Sequence, residues 1–290
     1  MDFTKCQSVW KAYGGSLPKN AIIYNDTLYM VKTPRTVFNR SANQDQYINQ
    51  IYAEHLCCMI IHALGYDVQE TILGTYGAKV AVACKDFTDD EYELEEFSHI
   101  KNAVNDCKYS GKSVDIDDIL TALKHQSLIE PHILEEYFWD QFILDAFFGN
   151  VDRYNENWGI LKNSRTDEVK PAPIYDCASS MDFNLSEAQI EELLASPLQM
   201  KLYVLSTHSV MTHRGKDINY ASFIASHAYA GCTKALLKFM ERVDFHMIHA
   251  LIDSLPDVSQ IRRQFYKSVL EERYHWIMEA ARSHYRRRFS

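Results

Sequence analysis

No stretch of this chain comes near the ~18 consecutive apolar residues that a membrane-spanning helix needs, and Met1 to Val9 hold no apolar core of a secretory leader. A protein made soluble and cytoplasmic is expected, with no membrane partner; delivery by a secretion system would leave no mark of this kind. Zinc and thioredoxin spacings are missing too. The seven cysteines are scattered apart from Cys57-Cys58, no C-x-x-C occurs, and the odd number points to reduced thiols. Surplus positive charge is also absent. The formal net charge is −9, which argues against a nucleic-acid partner, and the one basic run, Arg286-Arg287-Arg288, reads as a solvated helix end. There is no H-e-x-x-H (His208 and His213 are close, but at no metal spacing), no G-x-S-x-G elbow and no G-x-x-x-x-G-K-[ST] loop. Repeats and low-complexity tracts are lacking.

What is present is an ordinary globular composition. The 290 residues are 47% apolar and 24% charged, enough for one large domain or two lobes around a cleft. The 18 Tyr and 14 Phe follow helical core spacing and read as packing. Ala21-Ile22-Ile23, a turn at Asn25-Asp26 and Thr27 to Lys32 predict a hairpin, with Leu28, Met30 and Lys32 on one face. Ile48, Ile51, Tyr52, Leu56, Met59 and Ile60 predict a helix over about 46–64 that Gly65 stops. Strands are expected over 70–75 and 79–84. The acidic segment after Phe87 marks the expected boundary between a lobe of residues 1–87 and one of 88–290. From Ser113 onward the reading is mostly helical. Pro131 suits the start of a helix that Gly149 ends, and Ser186 with Gln189 forms a capping box. Two short strands are expected at 157–162 and 173–176, joined by a polar turn.

The densest chemistry lies in Gly149-Asn150-Val151-Asp152-Arg153-Tyr154-Asn155-Glu156-Asn157-Trp158-Gly159. A carboxylate (Asp152) can accept the proton of an attacking hydroxyl, and an amide oxygen (Asn157) can hold magnesium; one loop can bring both to one phosphate. Alone, such a pair is a common polar loop. A second carboxylate, Asp176, follows Pro173-Ile174-Tyr175, where a hairpin strand could deliver it to the same point as a hard-cation ligand rather than as a helix cap. In the first lobe Lys32 can reach nucleotide phosphates, Met30 can line a base pocket, and Glu54 on the following helix is the natural ion-pair partner of Lys32. Singly, each reads as a surface charge; their order raises both. Gly14-Gly15-Ser16-Leu17-Pro18-Lys19 precedes the first strand, where a phosphate-covering loop would lie.

These residues resemble a known family. Gly149-Asn150-Val151-Asp152-Arg153 with Asn157-Trp158-Gly159, then Ile174-Tyr175-Asp176 with Ser179-Ser180, is similar to the catalytic core of HipA-like kinases, and within them to the compact group around cell-translocating kinase A (CtkA). Ala81 to Phe87 is similar to that group's hinge. The resemblance implies a two-lobed α+β protein-kinase-like fold and Ser/Thr protein kinase activity with ATP and Mg2+. It implies Asp152 as catalytic base, Asn157 and Asp176 on the metal, and Lys32 steadied by Glu54 on the phosphates. It further implies Gly14, Gly15, Ser16 and Lys19 over the phosphates, Ala83 and Lys85 meeting adenine through backbone, and Asp86 near the ribose. Tyr154 stands where the family usually has His. Ala12 aligns with the regulatory serine of HipA toxins, so autophosphorylation would fall on another residue, such as Ser16. The likeness does not extend to the N-terminal region through which HipA toxins engage their antitoxin, and no antitoxin partner is assumed. Two rivals stay open: a nucleotide-binding interaction protein on a kinase fold, and a kinase or AMP transferase acting on another acceptor.

Overall fold

Alternating apolar positions in the first third of the chain build strands, and 3.6-residue spacing in the rest builds helices. The computed structural model describes residues 1–11, 13, 18–35, 44–88, 91–105 and 110–289. β1 (Gln7–Val9), β2 (Lys19–Tyr24), β3 (Thr27–Lys32), β4 (Thr71–Tyr76) and β5 (Lys79–Lys85) form one antiparallel sheet in the order β1-β2-β3-β5-β4. Asn25 and Asp26 both take positive φ, 48° and 57°, the backbone of a tight two-residue hairpin turn. The register sets Lys19 directly opposite Lys32 and Ala21 opposite Met30. The helix α1 (Gln44–Ala63) lies between β3 and β4 in the chain and ends at Gly65, with φ 76°.

Beyond this sheet, β6 (Tyr92–Glu96), β7 (Gly159–Asn163) and β8 (Val169–Pro171) make a three-stranded antiparallel sheet. The acidic segment expected to mark only a boundary therefore contributes a strand; its glutamates hide it because they are poor strand formers. The hairpin's second strand also lies earlier than expected, at 169–171. Ile174 instead bridges Val68 in parallel, and Asp176 turns left-handed at φ 56°.

The second lobe is built around α4 (Pro131–Phe148), which follows α2 (Phe97–Val104) and α3 (Ile116–His125). Every residue of α4 from Phe138 to Phe148 is buried, so it is the hub rather than an amphipathic surface helix. Around it come α5 (Glu187–Leu194), capped by the Ser186–Gln189 box, α6 (Pro197–Leu205), and the hairpin of β9 (His208–His213) and β10 (Lys216–Asn219). They are followed by α7 (Tyr220–Ser226), α8 (Ala230–Arg242), α9 (Phe245–Ser254), α10 (Gln260–Arg273) and α11 (Ala280–Phe289). A π-helical turn, Tyr274–Glu279, lies between α10 and α11. One apolar core runs from Leu56 and Ile60 of α1 into Phe142 of α4 and Phe239 of α8. Each such side chain contributes about 1.5–3 kcal/mol on burial. No helix among the described residues is long and apolar enough to cross a membrane.

Gly149 ends α4 with φ 67°, and a Cβ there would lie 2.2 Å from Arg273 Nη2. Gly149→Ala is expected to cost at least the roughly 1–2 kcal/mol of a left-handed alanine, more if Arg273 has to shift. A thermal melt matching the parent would refute the requirement.

Candidate active site

The inward face of β3 places Lys32 at the floor of the cleft, 2% exposed. Its Nζ is 2.7 Å from Glu54 Oε1 on α1 and 2.9 Å from Asp176 Oδ1. Burial works against its charge, but Asp176 and Glu54 outweigh it and push the Lys32 pKa well above its ordinary value. The Lys32 charge, against the effect of burial, lowers the pKa of Asp176. Lys19, across the ladder, is shifted the other way, its pKa lowered by burial and then by Lys32.

The loop after α4 sorts its side chains by direction. Asn150, Arg153, Asn155 and Trp158 are buried, while Asp152 stands at the cleft rim, partly open to solvent. Asn150 donates to Asp145 Oδ1 at 2.8 Å and accepts from the Asp152 N–H at 3.0 Å. Arg153 grips both oxygens of Asp145 at 3.0 Å. Its Nη1 then donates to two backbone carbonyls, Asn157 O at 2.9 Å and Tyr175 O at 2.5 Å. One guanidinium thus ties α4 to the loop bearing Asp152 and to the residue preceding Asp176. Asn155 reaches Gly111 O and Ser113 O at 2.7 and 2.8 Å, and Trp158 stacks on Phe97 with ring centres 3.9 Å apart.

Lys19, Lys32, Gln50, Asp152, Asp176 and Ser179 line one small pocket. A cavity of about 380 Å³ adjoins it and shares Lys19, Lys32 and Asp176 with it; its walls include Met30, Asp86, Phe87, Leu94, Asn157 and Tyr175. Burial first, then the neighbouring Asp176 charge, raise the Asp152 pKa above 3.8. The Asn157 Nδ2 donates to Asp152 O at 2.9 Å, which leaves its Oδ1 as an acceptor. That oxygen and the Asp176 carboxylate form a hard-oxygen set suited to Mg2+, which takes its remaining ligands from phosphate and water. Among the described residues no three His, Cys, Asp or Glu converge into a site made by protein alone. Gln50 Oε1 is buried without a protein partner, and such an amide can turn its N–H toward a phosphate oxygen. The residues present therefore fit Mg2+ and a nucleotide.

Asp86 is 2.7 Å from Lys11 Nζ and accepts from Tyr13 at 2.6 Å and from the Thr88 N–H at 2.9 Å. Ala83 sits inside the sheet, paired to Val31 on one side and Ile72 on the other. The Lys85 carbonyl accepts from Gln69 Nε2 at 2.9 Å, and its ammonium pairs with Glu70 at 3.0 Å. Gly14, Gly15 and Ser16 lie outside the described residues, as does Ala12. Sequence reading passed over Gln50, Leu94 and the anchoring part of Arg153, and named Ser179 only within the motif that follows Asp176. Arg153 stood in the sequence only as part of the Gly149 to Arg153 motif, with no role attached to it.

The sequence profile of the HipA-like C-terminal domain family matches residues 12–253. The serine/threonine-protein kinase CtkA of Helicobacter pylori is 37% identical over 285 residues, 97% of this chain and 87% of that protein. The crystal structure of a Helicobacter pylori proinflammatory kinase CtkA superposes with TM-score 0.94 at 35% identity, covering 100% of this chain and 99% of the other. HipA of Shewanella oneidensis MR-1, in a complex with HipB and operator DNA, gives TM-score 0.59 at 14% identity over 94% of this chain and 67% of HipA, a likeness of fold alone.

Arg153→Met would leave the Asp145 carboxylate buried without its partner, at a cost of about 3–5 kcal/mol. Urea titration should show that loss, with a smaller one for Arg153→Lys. A change below ~1 kcal/mol in Arg153→Met would show that the clamp is dispensable.

Proposed function

The chain belongs to the HipA-like C-terminal domain family and is an enzyme of the serine/threonine-protein kinase class, and from that premise we propose that it moves the γ-phosphoryl group of ATP, with Mg2+, onto a Ser or Thr hydroxyl of a protein. The observation that carries this reading is the meeting of Lys32, Asp152 and Asp176 in one pocket that adjoins the larger cavity. Taking residues 1–87 and 88–290 as the lobes, the nucleotide lies between them.

Bound Mg-ATP supplies the transferable phosphoryl group and neutralises the charge that develops on it. Asp176 and Asn157 would hold the metal, and Lys32, fixed by Glu54, would hold the phosphates beneath Gly14, Gly15, Ser16 and Lys19. Asp86 would meet the ribose through the set it already forms with Lys11, Tyr13 and Thr88. The backbone groups of Ala83 and Lys85 are committed to the sheet, Gln69 and Glu70, and neither residue lines the cavity, so adenine would rest instead against Met30, Phe87 and Leu94. Asp152 accepts the proton of the acceptor hydroxyl. Its pKa, raised first by burial and then by the Asp176 charge, makes it a stronger base than a free aspartate. Autophosphorylation belongs to the same reading, with Ser16 as one acceptor.

Intact-protein mass spectrometry after incubation with Mg-ATP, alone and with a basic substrate protein, tests this. A phosphate-sized gain is expected, falling about 10²–10⁴-fold in rate in Asp152→Asn, with the melting temperature kept. An AMP-sized gain, or near-parental transfer in Asp152→Asn, would overturn the assignment. Because Asp152 must be ionised to act, kcat/KM is expected to fall as pH drops through its raised pKa, so the acid limb lies above 3.8. A limb at or below that value would remove Asp152 as the base.

A further inference from the structure

Eight large apolar side chains stand exposed among the described residues, and two of them border Asp152: Val151 is 48% and Tyr154 42% exposed. Single apolar residues scattered over a surface need no explanation. These two lie on a loop whose other side chains are anchored inward. Asn150, Arg153 and Asn155 are buried, and they hydrogen-bond to Asp145, to the Asn157 and Tyr175 carbonyls, and to the Gly111 and Ser113 carbonyls. The backbone is held as well. The Val151 N–H donates to Ser179 O at 3.3 Å, the Tyr154 N–H to Asp152 O at 2.9 Å, and the Asn157 N–H to Tyr154 O at 3.0 Å. Val151 and Tyr154 are therefore fixed outward on an anchored loop. Asp152 and Glu156 are exposed on the same loop, so the strip presents two apolar side chains and two carboxylates.

An acceptor hydroxyl that gives its proton to Asp152 has to come within about 2.6–3.2 Å of it. Successive residues of an extended segment advance roughly 3.3 Å. Val151 adjoins Asp152 in the chain and Tyr154 follows two residues on. Residues one or two places from the hydroxyl then pass over Val151 or Tyr154. An aromatic ring already held outward offers contact area at little ordering cost. An acidic neighbour would approach Asp152 and Glu156 instead, and like charges brought together carry a penalty.

We propose that Val151 and Tyr154 select the acceptor: a Ser or Thr with an aliphatic or aromatic residue within two places of it, and no acidic one. This rests on the phosphoryl-transfer reading and narrows its substrate class.

A library of serine peptides in an Ala, Gly and Lys background, with the two places on each side of the serine varied in turn, tests the selection. The full chain and Mg-ATP are used, phosphate is read by mass spectrometry, and sites on a basic substrate protein are mapped in parallel. Leu or Phe in place of Ala at one of those places is expected to raise kcat/KM about tenfold or more, and Asp to lower it. Mapped sites on the protein should carry apolar neighbours as well. Tyr154→Ala and Val151→Ala should erase the gain through KM, whereas Tyr154→Phe, which keeps the ring, should retain it. Rates indifferent to the neighbours, protein sites without an apolar neighbour, or a preference that survives both Ala substitutions would overturn the selection and leave phosphoryl transfer standing. Absence of phosphate on every peptide and on the protein would overturn both.

Discussion

The candidate site depends on a buried ion pair that takes no part in the proposed chemistry. Arg153 and Asp145 are held away from water, where a guanidinium and a carboxylate are costly unless each saturates the other. Asp145 uses both oxygens on Arg153, and Arg153 donates from Nη1 to the carbonyls of Asn157 and Tyr175 and from Nη2 to Cys177 Sγ. A planar fork with five donors can tie three chain segments at fixed angles, whereas an ammonium could not. The relative placement of Asp152, Asn157 and Asp176 follows from where those carbonyls are held.

The Lys32 triad adds the complementary constraint from the other lobe. Glu54 and Asp176 come from opposite sides of the cleft in sequence and meet on one ammonium. The pair across the cleft therefore couples the orientation of the sheet to that of Asp176. Because the Asp176 pKa is lowered, its contribution to stability is complete above the ordinary 3.8 and fades as pH falls through the depressed value.

Much of this was legible because the informative residues are charged and occur in a fixed order along recognisable elements. Lys32 on an alternating strand, Glu54 on the next periodic helix, and Asp152 and Asn157 after a glycine-stopped helix could each be placed from local rules. Asp176 was expected at the end of a strand it does not occupy: its backbone is left-handed, just beyond the isolated Ile174–Val68 bridge, a tertiary contact. β6 was missed because glutamates mask a strand whose Leu94 faces the cavity. Gln50 gave no motif signal; it joins Lys32, Asp152 and Asp176 only through the tertiary packing of α1.

The pairing of Lys19 with Lys32 has a dynamic consequence. Like charges directly opposite on an antiparallel ladder oppose the pairing by roughly 0.2–1 kcal/mol, and here both lysines lie at the open end of the hairpin, opposite the turn at Asn25-Asp26. Glu54 and Asp176 hold Lys32 in place, and the Thr33 N–H to Pro18 O bond carries the ladder past the pair. The repulsion therefore bears on the Lys19 end of β2, and a bound polyanion between the two ammonium groups would slow amide exchange there.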